Sequence, residues 1–304
     1  MISPTIAIIG SGAVGGYYGA RLAQHGHQVH FLLRSDFETV RSNGWTIESC
    51  DGDFSLSADQ INVYRKPSEM PPADLVIVTL KTTANADFPR LITPILKEDT
   101  AILTLQNGLG NEEALADLFG ARRILGGLAF TCINRIAPGH IRHSAHGVIR
   151  LGEFGGGPSE RAEKIAQLFN ASRIHCQVLE NLQYGRWDKL VWNVPFNGLG
   201  AALDLSTQRL IANADVQSLV EELMREVVAT AGSTGIHLPG EIIGEKIEHT
   251  RTMGEYFTSM QLDRQHGRPL ETQAIVGRPL QIAENGGIKT PFLKMLHLEL
   301  TAFQ

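Results

Sequence analysis

Residues 5–34, TIAIIGSGAVGGYYGARLAQHGHQVHFLLR, constrain this chain more than any other stretch. TIAIIG is short, apolar and β-branched, as suits a parallel strand buried on both faces. Gly10, Gly12 and Gly15 follow in a G-x-G-x-x-G pattern, with Ser11, Ala13 and Val14 between them. A helical apolar periodicity comes next and stops at Gly26, where a C-cap belongs. HQVHFLLR then reads as a second strand. In a chain with 31 glycines the spacing alone carries little weight. Its place after a strand and at the opening of a helix makes it specific. Gly10 permits the tight turn, Gly12 lets a pyrophosphate approach the backbone, and Gly15 lets the helix pack on the strand. The helix N-terminus adds amide donors and partial positive charge for phosphates. Residues 10–15 are therefore expected to hold a dinucleotide.

The end of the second strand bears on which dinucleotide. An NAD site places Asp or Glu there to bond the ribose hydroxyls. Here Arg34 stands nineteen residues past Gly15, and a guanidinium suits the 2′-phosphate of NADP. Asp36 competes with that reading, because it could serve a ribose hydroxyl if the loop bends. NADP(H) is the expected cofactor. ADLVIVTLK and TAILTLQNGLG read as further buried strands, ending at Lys81 and at Gln106 and Asn107. Ligands gather at the carboxyl ends of strands in an open parallel sheet, so all three are site candidates. The plainer alternatives are a solvated loop lysine and an ordinary Asn107-Gly108 turn. ARRILGGLAF and GHIRHSAHGVIRLGEF continue the strand pattern, with APG turning between them. His140, His143 and His146 do not read as metal ligands. On a strand the outer two share a face about 20 Å apart while His143 points the other way. No metal is expected.

After SRIHCQVLE, helical periodicity takes over. In VQSLVEELMREVVATA, Val216, Leu219, Val220, Leu223, Val227 and Ala231 form one apolar face. PFLKMLHLELTAF makes a closing helix with Pro291 at its start. The expected fold is an α/β Rossmann-type N-terminal domain over residues 1–180 followed by an all-helical C-terminal domain over residues 181–304. The active site is expected in the cleft between them. At the opening of the second domain, RWDKLVWNVPFN places Lys189, Asn193 and Asn197 four residues apart on an otherwise apolar segment. On a helix they form a polar stripe about 12 Å long, while Leu190, Val191 and Val194 point elsewhere. Asn is a poor choice inside a helix, and Pro195 should kink it, so the stripe needs a reason. A solvated face competes with a functional one here.

Composition excludes several function classes. A length of 304 residues exceeds one ordinary core and suggests two domains. The net charge of −5, without a dense Lys/Arg run, argues against a nucleic-acid partner. MISPTIAIIG does not read as a signal peptide, and no apolar run is long enough to span a bilayer. Cys50, Cys132 and Cys176 are odd in number and widely spaced, which fits free thiols in a cytoplasmic protein.

These elements together resemble the ketopantoate reductase (2-dehydropantoate 2-reductase) family nearly end to end. GSGAVG, the strand-end Arg34, the LK containing Lys81, and QNG with Asn107 stand in family order. So do Lys189, Asn193 and Asn197, then TSM with Ser259, and Glu271 twelve residues later. The resemblance implies NADPH-dependent reduction of ketopantoate to pantoate, in pantothenate biosynthesis, with Lys189 as general acid. It implies that Asn107, Asn193, Asn197 and Ser259 hold the keto acid beside Lys189. Lys81, Asn107 and Glu271 would join residues 10–15 and Arg34 on the cofactor, with Glu271 also organising the lysine. The chain departs from the family pattern at LETQA around Glu271 and at Gly198, where proline is common. These changes leave room for another small 2-keto or hydroxy acid. A non-catalytic NADP(H)-binding regulatory module is the alternative of a different class. A small keto acid is the expected partner, a homodimer is allowed for, and neither nucleic acid nor membrane is expected.

Overall fold

A computed structural model describes residues 4–303. Residues 1–3, at the head of the segment read as lacking a leader, and Gln304 lie outside them. The described residues divide into two compact units. One holds the chain up to Gln106 together with Asn111–Leu182; the other holds Asn107–Gly110 and the chain from Gln183 onward.

The first unit is built on β1 (Thr5–Ile9), β2 (Gln28–Leu32), β3 (Trp45–Ser49), β4 (Phe54–Leu56), β5 (Asn62–Tyr64), β6 (Ala73–Val78), β7 (Leu96–Thr104), β8 (Ile124–Ala137), β9 (His140–Glu153) and β10 (Cys176–Val178). They form a single sheet in the order β4-β3-β9-β8-β7-β6-β1-β2-β5, with β10 added beside β9. β1 lies between β2 and β6, parallel to both. Its alternate residues serve both faces. Ile6 and Ile8 pack with Phe31, Ile77 and Leu103 on one side. Ala7 and Ile9 pack with Leu32, Val76 and Ile102 on the other. Burial on both faces explains why TIAII shows no alternation with charged residues. The sheet is parallel-dominated, with antiparallel pairs at β8–β9 and β3–β4. The APG turn joins β8 to β9 and takes Gly139 to φ +70°. β3, β4 and β5 lie outside the strands read from sequence. They are three to five residues long, and β4 and β5 sit at the two ends of the strand order.

The second unit is helical. Leu182–Leu203 is its longest helix and continues through Pro195. Proline has no amide hydrogen, so the carbonyl of Val191 loses its ladder bond, yet the ladder resumes beyond it. Trp187, Leu190, Val191 and Val194 join Leu223 and Val227 of Ala214–Ser233, and Leu293 and Leu296 of Pro291–Thr301, in one core. The expected apolar face of Ala214–Ser233 is the buried one. Its Glu226 is buried too, accepting from the backbone amides of Phe292 (3.0 Å) and Leu293 (2.7 Å). That carboxylate satisfies first-turn donors of the closing helix, which no intrahelical partner could reach.

Candidate active site

In the first unit, the three motif glycines meet different constraints. Gly10 has φ +104°, and a Cβ there would lie 2.5 Å from the amide nitrogen of Leu80. A Cβ on Gly15 would lie 2.3 Å from Thr79 Oγ1, so only glycine lets the helix approach. The same Thr79 hydroxyl donates to the Gly10 carbonyl at 2.8 Å, tying the turn to the chain beyond β6. Gly12 differs, because its nearest neighbour in the Cβ direction is 4.0 Å away. It therefore opens onto space a phosphate could enter. Gly12 is also the N-cap of Ala13–Gln24, and no side chain caps that helix. Its first-turn amides, from Ala13, Val14 and Gly15, are the donors a pyrophosphate needs. Ser11 is buried with its hydroxyl turned back to the Ile8 carbonyl, so it presents backbone rather than side chain. These residues fit a dinucleotide.

Arg34 and Lys81 are exposed, just beyond the carboxyl ends of β2 and β6 on either side of β1. Asp36 behaves differently. Its side chain is only 4% exposed and forms an ion pair with Arg135. It also accepts from the Ser35 hydroxyl at 2.7 Å and from the Gly139 amide at 3.4 Å. The loop does not turn this carboxylate outward toward a ribose.

In the second unit, Lys189 Nζ donates to Asn107 Oδ1 at 2.9 Å. The turn that carries Asn107 explains how. Gly108 has φ +82°, and a Cβ would fall 2.3 Å from the Ala274 carbonyl oxygen. The Leu109 amide donates to that same carbonyl at 2.9 Å, and the Leu109 side chain enters the helical core. Asn107-Gly108 is thus a turn pair docked so that its amide meets the lysine. The docking segment is a π-helix, Gln273–Gly277, which begins two residues after Glu271. Such widened turns recur at functional sites. Asn193 and Asn197 are each 4% exposed, so the stripe is not a solvated face. Asn197 Oδ1 accepts weakly from the Ser259 hydroxyl (3.4 Å) and the Met260 amide (3.5 Å). Thr258 serves as the N-cap of Ser259–Gln265, and this leaves the Ser259 hydroxyl for Asn197.

Burial sets the charge state of the cluster. The Lys189 ammonium is brought down to about 7, chiefly by burial and also by the nearby Arg186 guanidinium, with Glu271 opposing both. Removing an ammonium from water disfavours its charged form. Arg186 lies outside the expected set. It is buried, and its spacing of three before Lys189 was the available signal. Glu271 is buried as well, so it is not an ordinary surface acid.

The two departures from the family pattern have packing explanations. A Cβ on Gly198 would lie 2.6 Å from Leu296 Cδ2, and Leu270 belongs to the apolar core of the helical unit.

The His143 ring gathers with the side chains of Cys50 and Asp51, and meets His146 only at its backbone carbonyl, 3.2 Å from Nε2. β8–β9 register shifts interrupt the regular alternation assumed for this strand. Its Nδ1 shares a 2.9 Å hydrogen bond with the Ser49 hydroxyl, and Arg21 donates to that hydroxyl at 3.2 Å. A buried guanidinium beside the group opposes a second cation there.

Comparison with known proteins places these geometries in a family. The model described as "Ketopantoate reductase PanE/ApbA" matches residues 6–156, and its C-terminal counterpart matches residues 181–304. A 2-dehydropantoate 2-reductase of Nostoc sp. is 45% identical over 299 residues, spanning 97% of this chain and 93% of that protein. The crystal structure of a 2-dehydropantoate 2-reductase from Geobacter metallireducens superposes with a TM-score of 0.96 at 46% identity, covering 99% of this chain and all of that one. A second, from Methylococcus capsulatus, gives 0.89 at 33% identity over 98% and 96% of the two chains. With both domain models matched and the fold shared along its length, the chain belongs to the ketopantoate reductase family of oxidoreductases.

Proposed function

We propose that this protein catalyses NADPH-dependent reduction of 2-dehydropantoate to pantoate, a step of pantothenate biosynthesis, in the cytoplasm. Residues 1–180 act as the NADP-binding domain and residues 181–304 as the substrate and catalytic domain. The observation that carries the reading is the stripe of half-buried Lys189 and buried Asn193 and Asn197, with Asn107 held on the lysine at 2.9 Å. The 45% identity to a 2-dehydropantoate 2-reductase supports this substrate. No helix among the described residues is long and apolar enough to cross a membrane.

The bound nicotinamide dinucleotide supplies the hydride. Residues 10–15 hold its pyrophosphate, Arg34 its 2′-phosphate, and Lys81, Asn107 and Glu271 further contacts. Hydride addition builds negative charge on the ketone oxygen, which is best met by a donor already in place. Lys189 Nζ stabilises that oxygen and passes it a proton. Asn107 orients the ammonium without adding a competing charge. Asn193, Asn197 and Ser259 bind the keto acid through amide and hydroxyl hydrogen bonds, and Glu271 helps keep the lysine protonated.

A screen of NADPH oxidation against 2-dehydropantoate and several other 2-keto acids tests the assignment. A clear preference for 2-dehydropantoate is expected. Preference for another keto acid would move the enzyme to a related reductase, and no oxidation with any would leave a nucleotide-binding module.

Two further results are expected. Asn193→Ala and Asn197→Ala should weaken keto-acid binding by about 1–3 kcal/mol each, since each leaves a buried partner unmatched. If both variants lost only thermal stability, with steady-state constants unchanged, the amides would be structural.

The pH profile follows from Lys189. The acid must be protonated, and its value of about 7 means the active form is depleted as pH rises through neutrality. kcat/KM should be flat below that point and fall roughly tenfold per pH unit above it, because this ratio titrates the free enzyme. Glu271→Gln removes the group that raises the lysine, so the bend should move to lower pH. A bend that stays in place would separate Glu271 from the lysine.

A further inference from the structure

Asp36 is the N-cap of the helix Phe37–Asn43, yet its side chain makes no capping bond. Aspartate is among the preferred N-cap residues because its carboxylate can accept first-turn amides, so forgoing that role needs a cause. The cause lies in the β8–β9 hairpin. Arg135, near the end of β8, donates to Asp36 Oδ1, and the Gly139 amide at the hairpin tip points to Oδ2. β8 shifts register between Arg135 and Ala137, and bulges of this kind re-aim a neighbouring side chain. The Ser35 hydroxyl completes the shell. The carboxylate is thus buried under these contacts, while Arg34, two residues earlier, is left exposed. In the sequence these two residues offer opposite cofactor preferences. In the fold a third, remote residue, Arg135, is paired with one of them.

We propose that Arg135 is a positioning residue for cofactor choice: by holding the Asp36 carboxylate inward, it withdraws the anion that would bond a free ribose hydroxyl and repel a 2′-phosphate. This rests on the NADPH assignment and names the residue that protects it. Without Arg135, Asp36 is free to swing outward beside Arg34, where its charge opposes the phosphate and accepts from the 2′-hydroxyl of NADH.

The test compares kcat/KM for NADPH and NADH in wild type, Arg135→Leu, Asp36→Asn and the double variant, with thermal melting to check folding. Arg135→Leu should reduce the NADPH-over-NADH preference by ~10-fold or more, mainly through a higher KM for NADPH with kcat largely retained. Adding Asp36→Asn should restore the preference, because the released side chain no longer carries charge. Asp36→Asn alone should keep it or raise it. A merely structural role would lower use of both cofactors together and gain nothing from the second substitution. An Arg135→Leu preference within about twofold of wild type, or a double variant no closer to wild type than the single, overturns the proposal. Should Arg135→Leu fail to fold, a fall in preference in Asp36→Asn overturns it equally. Wild type using both cofactors alike is a different result: it removes the NADPH reading itself and the proposal with it.

Discussion

Lys189→Ala is expected to lower the single-turnover rate of keto-acid reduction by ~10²–10⁴-fold, the range for losing a positioned general acid. NADPH binding should change little, since the lysine is assigned to the carbonyl oxygen and not to the dinucleotide. The size of the loss follows from where the lysine sits. Its ammonium is brought to about 7 by burial, so near neutral pH it is both a competent donor and partly protonated. The alanine variant leaves the Asn107 side chain without that donor but keeps the docking of its turn, because the Leu109–Ala274 backbone bond does not involve Lys189. Stopped-flow measurement of NADPH oxidation at saturating keto acid decides the matter. A variant that keeps most of its single-turnover rate would remove Lys189 from the chemistry. A variant that melts far below wild type would show a packing role instead.

Arg34→Ala should reduce kcat/KM for NADPH by ~10–100-fold and leave NADH nearly untouched, the scale of one charge-assisted contact to phosphate. The residue is exposed beyond β2, so the loss should shrink as salt rises and screens the contact. Measuring both cofactors at low and high ionic strength checks this. Because Asp36 is held inward by Arg135, the alanine variant gains no new ribose ligand and NADH use should not improve. Equal use of the two cofactors by wild type would sink the NADP assignment and return Arg34 to solvent.

Much of this protein is legible in local sequence. Residues 10–15 follow a strand and open a helix, and each glycine meets the constraint its motif position implies, because turn, strand and helix are adjacent in the chain. The four-residue spacing of Lys189, Asn193 and Asn197 announces a stripe for the same reason: helical periodicity is a local rule. What the stripe faces is not local. Asn107 lies 82 residues before Lys189, and a turn seated on the Ala274 carbonyl brings the two together. The depressed lysine comes from burial and from Arg186. The inward carboxylate of Asp36 depends on an arginine 99 residues away. Such features turn on which distant groups a chain removes from water together, and desolvation and ion pairing act through space, so spacing along the sequence does not encode them.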